Sequence, residues 1–335
     1  MFSEAPMADP RPVLIAGGAG YIGSHVALAL ADAGRPVVIL DDLSTGRQAL
    51  VPEGAVFVRG DMGDRALVRR LLAEHGCSGV MMFAGSIIVS ESFREPLPYW
   101  RNNAGSGLAF VETCVEAGIR HFVYSSTAAV YGTPDTLPIS ESAALRPISP
   151  YGRSKLAVEW ALSDICETAP TRFAALRYFN VAGADHRGRS GQVSPVATHL
   201  IKIAVEAALG RREGMAIYGD DYPTADGTCI RDYIHVTDLA EAHVLALAHL
   251  ERGGESLIAN CGYGHGFSVR EVIDVVRRVS GRDFPVHSSE RRRGDPPALV
   301  ADSGLLKAKL GWVARRDDLE LMVRSALEWE AKQQP

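Results

Sequence analysis

Tyr151 and Lys155 stand four residues apart in SPYGRSK (149–155). On a helix that spacing puts the phenol and the ammonium on one face. A free phenol titrates near pH 10, so it is a poor base at neutral pH. A neighbouring ammonium favours the phenolate, which can then remove a hydroxyl proton. Thr127, in SSTAAVYG (125–132), offers a hydroxyl partner. YxxxK alone is common on solvated surface helices, and small residues at a strand end often only pack, so the reading depends on its surroundings.

The surroundings include GGAGYIG (17–23). Gly17, Gly20 and Gly23 fit GxxGxxG, the spacing for a tight turn, close approach to a pyrophosphate and close helix–strand packing. An apolar run precedes the motif and a helical pattern follows it. Asp41 comes about twenty residues on, where a carboxylate suits ribose hydroxyls and repels a 2′-phosphate. Together these predict a dinucleotide site for NAD rather than NADP. Asp61, ending a later apolar run, is placed to meet an adenine. Phe83, Ala84 and Gly85 end another run with little bulk, as a nearby cofactor backbone requires. A positive nicotinamide ring near Tyr151 would favour its phenolate further.

The elements that must hold these groups alternate. Apolar runs at 12–16, 36–42, 55–61, 79–85, 121–126 and 173–180 read as strands. Helical patterns at 21–34, 63–75, 96–118 and 150–168 lie between them. That alternation predicts an α/β fold, a Rossmann-type doubly wound parallel sheet. Beyond residue 180, Gly, Asp and Pro become frequent and helical patterns recur at 195–209, 237–250, 268–279 and 317–330. Residues 181–335 are expected to form mainly a smaller α/β substrate lobe over the carboxyl ends of the strands. A segment around 231–260 is expected to return to the 11–180 domain, and residues 1–10 to be a disordered tail.

The 335 residues are 47% hydrophobic with a net charge of −5 and a pI of about 6.1. That balance offers no surface for nucleic acid. The first residues have no apolar core of a secretory signal, and no apolar run is long enough to span a membrane. Five dispersed cysteines form no CxxC pair; they are expected as free thiols in a reducing, cytoplasmic compartment. No metal is expected.

GGAGYIGSH, FAG, SSTAAVYG, SPYGRSK, RYFNVAGA and above all GDDYPTADGTCIRDYIHV (219–236) together resemble the UDP-glucose 4-epimerases, extended short-chain dehydrogenases/reductases, from about residue 11 to 330. The resemblance implies a homodimer with tightly held NAD, meeting through the helices at 96–118 and 150–168. Tyr151 would be the base that oxidises the sugar at C4, Lys155 would lower its pKa, and Thr127 would bond the sugar O4. The 4-keto sugar would turn about its diphosphate anchor and take hydride back on its other face. Asn180 would contact the nucleotide sugar, Arg231 and Arg292 would grip the diphosphate, and Asp295 would meet the uridine ribose. Leu200, Ala216, Ile217 and Tyr218 would line the uracil, with Phe179, His199, Tyr233 and Leu299 as further substrate contacts. Tyr21, Ile22, Asp42, Met62, Asn102, Ser125 and Tyr178 would complete the cofactor site.

Three positions depart from the best-known bacterial pattern. Thr127 stands for a serine, which changes little. Ile87 stands for a lysine near the cofactor and threatens NAD retention. Leu299 stands for a bulky tyrosine beside the sugar's C2, leaving UDP-N-acetylhexosamines open. UDP-xylose/UDP-arabinose epimerisation stays open too, as does an NAD-keeping binder without turnover. A 4,6-dehydratase or a decarboxylase would need an acid after Thr127, where Ala128 and Ala129 carry no proton. Without the resemblance, Arg231 would pair equally well with Asp232. His199 replaces an asparagine, and a lone histidine in such a loop more often packs than catalyses.

Overall fold

In the computed structural model, which describes residues 9–194 and 198–333, every apolar run of the first half becomes a strand. These are β1 (Val13–Ala16), β2 (Val37–Asp41), β3 (Val56–Arg59), β4 (Gly79–Met82), β5 (His121–Thr127) and β6 (Arg172–Tyr178). β1, β2 and β4 are buried at every position, as strands covered on both faces must be. The run read as one strand over 173–180 breaks at Phe179, and Asn180–Ala182 forms a separate short strand, β7. Then follow β8 (Met215–Tyr218), β9 (Ile230–Arg231) and β10 (Tyr233–His235), which pairs with β7. β11 (Leu257–Cys261), not among the runs read as strands, joins the main sheet beside β6. β12 (Phe267–Ser268), β13 (Val286–Ser289) and β14 (Ala298–Leu299) finish the set.

The main sheet runs β11–β6–β5–β4–β1–β2–β3 and every pair is parallel. The winding reverses between β1 and β4, and a crevice opens there beyond the carboxyl ends of the strands. Around the sheet and beyond it lie α1 (Tyr21–Asp32), α2 (Arg65–His75), α3 (Val89–Arg94), α4 (Pro96–Tyr99), α5 (Gly107–Glu116) and α6 (Pro150–Thr168). They are followed by α7 (Leu200–Ala208), α8 (Val236–Glu251), α9 (Val269–Ser280), α10 (Gly304–Leu310) and α11 (Leu319–Lys332). One face of the sheet buries Val26 and Leu30 of α1 with Leu239 and Leu247 of α8. The other buries Val68 and Leu72 of α2, Phe110 of α5, and Val158 and Leu162 of α6. Each such side chain contributes about 1.5–3 kcal/mol.

The helix read over 96–118 is interrupted. A wider, π-type turn over Trp100–Ser106 separates α4 from α5, and such turns often mark functional sites. α7, α9 and α11 pack together away from the main sheet, while α8 lies against α1, β5 and β6. The helical pattern read from 195 starts at Leu200; 195–197 lie outside the described residues, as do 1–8 of the expected tail. Asp9 is tied to the body through its carbonyl, which accepts from Arg35. Among the described residues no helix is long and apolar enough to cross a membrane, and all five cysteines are free.

Candidate active site

The glycine loop turns at Gly17, whose φ is +83°. A Cβ there would stand 2.4 Å from the Ala84 nitrogen, and one on Gly23 would stand 2.2 Å from the Gly17 oxygen. Only glycines let β1, α1 and the end of β4 approach this closely. α1 starts after Gly20 with no side-chain cap, so its first N–H groups stay available to an anion. Asp41 is buried, and its two carboxylate oxygens accept from Ala19 N and Leu43 N, each at 2.9 Å. Desolvation raises its pKa against these two bonds. Asp41 therefore braces the glycine loop as well as facing the cavity. Asp42 and Asp61 accept from Ser44 N (2.8 Å) and Gly63 N (2.6 Å). This cradle, which any Cβ would fill, fits a pyrophosphate.

α6 begins with Ser149 as its cap, accepting from Gly152 N at 3.1 Å, and Pro150 in its first turn. Both are standard helix-start chemistry, and they fix where Tyr151 emerges. Tyr151 and Lys155 are both buried. The Tyr151 ring meets Tyr99 edge-on at 6.5 Å. Burial raises the phenol's pKa, and a hydrogen bond from Thr127 opposes that rise. Lys155 is desolvated so strongly that its pKa falls to about 7, with the Glu159 carboxylate pulling it back up. Its ammonium lies 4.6 Å from the centre of the Tyr124 ring. Lys155 thus stands one turn behind Tyr151, as the spacing predicts. In the protein alone, however, burial outweighs any help that the phenolate receives.

One cavity of about 350 Å³ joins both ends, within the range of small-molecule sites. At the cofactor end its wall carries Gly17, Gly20, Tyr21, Ile22, Gly23, Asp41, Asp42, Asp61, Met62, Phe83, Ala84, Gly85 and Asn102. Thr127, Tyr151 and Tyr178 lie in the middle, and Phe179, Asn180, His199, Arg231, Arg292, Asp295 and Leu299 at the far end. Seven named residues are not part of the wall. Lys155 lies behind Tyr151. Ser125 lies behind Tyr178, its hydroxyl 2.5 Å from that phenol. Leu200 opens α7 beside His199. Ile217 and Tyr233 are buried in the core, and Ala216 precedes Ile217 in β8. Tyr218 is exposed beneath the Arg292 guanidinium, 4.8 Å away.

The two arginines share one acid. Asp295 lies 3.6 Å from Arg231 and accepts from Arg292 Nε at 2.9 Å. Asp232, the other candidate partner of Arg231, is fully buried and accepts from the backbone of Tyr263, Gly264 and Ala301 instead. Arg231, which also donates to the Ile230 carbonyl at 2.8 Å, stands in the cavity wall, where the guanidinium fork suits a diphosphate. His199 is held by Gln192, 2.5 Å away, and burial lowers its pKa. Ile87 is exposed at the rim. Near it, the rim closes on itself: Arg293 stacks 4.7 Å over Phe93 of α3. Gly294 (φ +90°) lies so close to that ring that a Cβ would be 2.6 Å away.

Sequence reasoning missed Asn103, which the π-type turn aims inward. Its amide accepts from Ser86 N at 2.7 Å and donates to Ser86 O at 3.0 Å and Ser154 Oγ at 3.1 Å. The asparagine pair in WRNNAG was the available signal. Ala128 and Ala129, both in the wall, place no acid beside Thr127.

Residues 13–262 match the family model described as the NAD dependent epimerase/dehydratase family. The chain is 56% identical over 328 residues to the UDP-glucose 4-epimerase of Azospirillum brasilense, covering 98% of this chain and 94% of that protein. A crystal structure of UDP-glucose 4-epimerase from Brucella ovis in complex with NAD is 46% identical with a TM-score of 0.92, covering 95% of this chain and 98% of that one. A UDP-glucose-4-epimerase from Stenotrophomonas maltophila with bound NAD and formylated UDP-arabinopyranose is 38% identical with a TM-score of 0.92, covering 96% and 98%. With the glycine cradle, the buried Tyr151–Lys155 pair and these likenesses in agreement, the chain belongs to the NAD dependent epimerase/dehydratase family.

Proposed function

We infer that Tyr151 is the acid and base with which this chain carries out its NAD-dependent C4 epimerisation of UDP-glucose and UDP-galactose. The carrying observation is the continuity of one cavity, from the glycine cradle past Tyr151 and Thr127 to Arg231 and Arg292. NAD, held by the glycine cradle and Asp41, would supply the hydride acceptor and donor for C4 and, by its positive ring, further charge beside the phenolate. Thr127 bonds O4 and orients it toward the Tyr151 oxygen. Tyr151 takes the O4 proton as C4 is oxidised and returns it after the 4-keto sugar has turned. Arg231 and Arg292 hold the diphosphate throughout. Binding energy from the nucleotide thus retains the reactant while its reacting end stays free to rotate. Ala128, Ala129 and Leu299, which line the cavity, bring no acid of their own to the sugar end.

Tyr151→Phe tests the assignment. It should retain NAD and UDP binding and lose about 10²–10⁴ in kcat; full turnover would remove Tyr151 from the role. Lys155, one turn on, keeps its positive charge near the phenol. Two coarser features complete the reading. Exposed Leu97, Trp100, Leu108 and Trp160 on neighbouring helical segments support a homodimer. Five free thiols support a reducing, cytoplasmic setting.

A further inference from the structure

Behind the Tyr151–Lys155 pair lies a charged cluster with no contact to the cavity. Glu159 follows Lys155 by four residues and Tyr151 by eight, so all three share one face of α6. Its carboxylate accepts from Arg177 Nε at 3.0 and 3.2 Å and from Arg177 Nη2 at 2.6 Å. It also accepts a short hydrogen bond from the Ser126 hydroxyl. Arg177 donates onward to the Tyr131 hydroxyl at 3.0 Å, and Tyr131 donates to Asn260 Oδ1 at 2.7 Å. Glu159 is 1% exposed and Arg177 3%.

A buried ion pair gives little net stability, since an apolar pair of the same shape does as well or better. This pair sits where geometry matters most. Ser126 is the neighbour of Thr127 on β5, and Arg177 is the neighbour of Tyr178 on β6; the two are cross-strand partners. One carboxylate therefore fastens α6 to the ends of both strands, each one residue from a side chain in the cavity wall. Its charge also acts on Lys155. The groups acting on that ammonium are Glu159 of α6 and the Tyr124 ring of β5, with Tyr151 one turn earlier on α6. Tyr178 and Arg177 of β6 adjoin them, and Tyr99 of α4 lies against Tyr151. Glu159 is the carboxylate of this set.

We propose that Glu159, fastened by Ser126 and Arg177, is a positioning residue for the reaction: it sets the distance from Tyr151 to Thr127 and keeps the Lys155 ammonium charged. The inference rests on the base role of Tyr151. Its test is the pH profile of kcat in the NAD-loaded enzyme, with Tyr151→Phe assayed beside it. Glu159→Gln keeps the shape and removes the charge. It should lower kcat by about tenfold or more with KM and UDP affinity unchanged. It should also move the alkaline limb of kcat down by about one pH unit, because Lys155 then loses its proton sooner. Glu159→Asp keeps the charge and shortens the reach, so kcat should fall while the limb stays. Ser126→Ala removes only a hydroxyl, and should lower kcat by about threefold at unchanged KM even if Glu159→Gln fails to fold. A wild-type kcat and limb in Glu159→Gln beside an inactive Tyr151→Phe would overturn this inference alone, as would a wild-type kcat in Ser126→Ala. Full turnover in Tyr151→Phe would overturn the base assignment and this inference with it.

Discussion

At Lys155 the spacing and the environment pull in opposite directions. The i, i+4 pairing with Tyr151 offers the phenolate a cation, yet burial brings the ammonium down to about 7 and pushes the phenol up. Lys155→Met should therefore lower kcat at pH 7 by about 100-fold and shift the rising limb to higher pH, since the phenol loses the ammonium one turn along α6. A kcat profile superimposable on the wild type would contradict the role. Arg231→Ala should weaken UDP binding by about ten- to a hundredfold, the worth of hydrogen bonds to a charged group, with the secondary structure intact by circular dichroism. Unchanged UDP affinity in calorimetry would make the arginine structural. The glycines, Asp41, Tyr151 and Lys155 were legible because each chemistry is local in the chain. Glu159 and Arg177 were not: eighteen residues apart, they meet only through the parallel pairing of β5 with β6 under α6. Asn103 was missed for a like reason: the asparagine pair marks the segment, but only the register change of the π-type turn decides which of the two faces Ser86 and Ser154.

At the scale of elements, the β1–α1 turn is the strictest part of the fold. Gly17→Ala must place a methyl 2.4 Å from backbone at φ +83°. It should cost a few kcal/mol and strip NAD, read as a lower Tm and a lower ratio of absorbance at 260 to 280 nm. A variant purified with full cofactor would show that the turn tolerates bulk. On the rim, Phe93 touches both Arg293 and Gly294, linking the lip that carries Ile87 to the lip that carries Arg292. Phe93→Ala should speed NAD loss on gel filtration several-fold; equal retention would assign that contact to packing alone. The strands with continuous apolar runs were readable from the sequence. β11 was not, because the polar Asn260 interrupts the apolar run of LIANC and only pairing with β6 places it in the sheet. The break at Phe179 was hidden likewise, because the apolar run continues across it.

For the whole molecule, buried histidines give the fold a pH dependence, three of them most strongly. His25, His235 and His243 are buried with pKa values lowered by desolvation to about 4, about 3 and about 4. The unfolded chain binds their protons near pH 6.5 and the folded chain does not. Stability is therefore full above that pH and falls as pH drops toward 4, by up to about 1.4 kcal/mol per unit for each group. Thermal melts from pH 7 to 4.5 should show this slope, and His243→Leu should make it shallower; a flat wild-type curve would contradict the burial of neutral imidazoles. Trp160 is 59% exposed on α6, and the proposed homodimer would cover it, so Trp160→Glu should halve the mass in light scattering, and an unchanged mass would count against that contact.

The most direct measurement is the conversion of UDP-galactose to UDP-glucose by the purified protein with no NAD added, run beside Tyr151→Phe. Conversion by the wild type, from cofactor retained in the glycine cradle, and none measurable by the variant is the expected result. Equal conversion by both proteins, or none by the wild type even with NAD supplied, would contradict it.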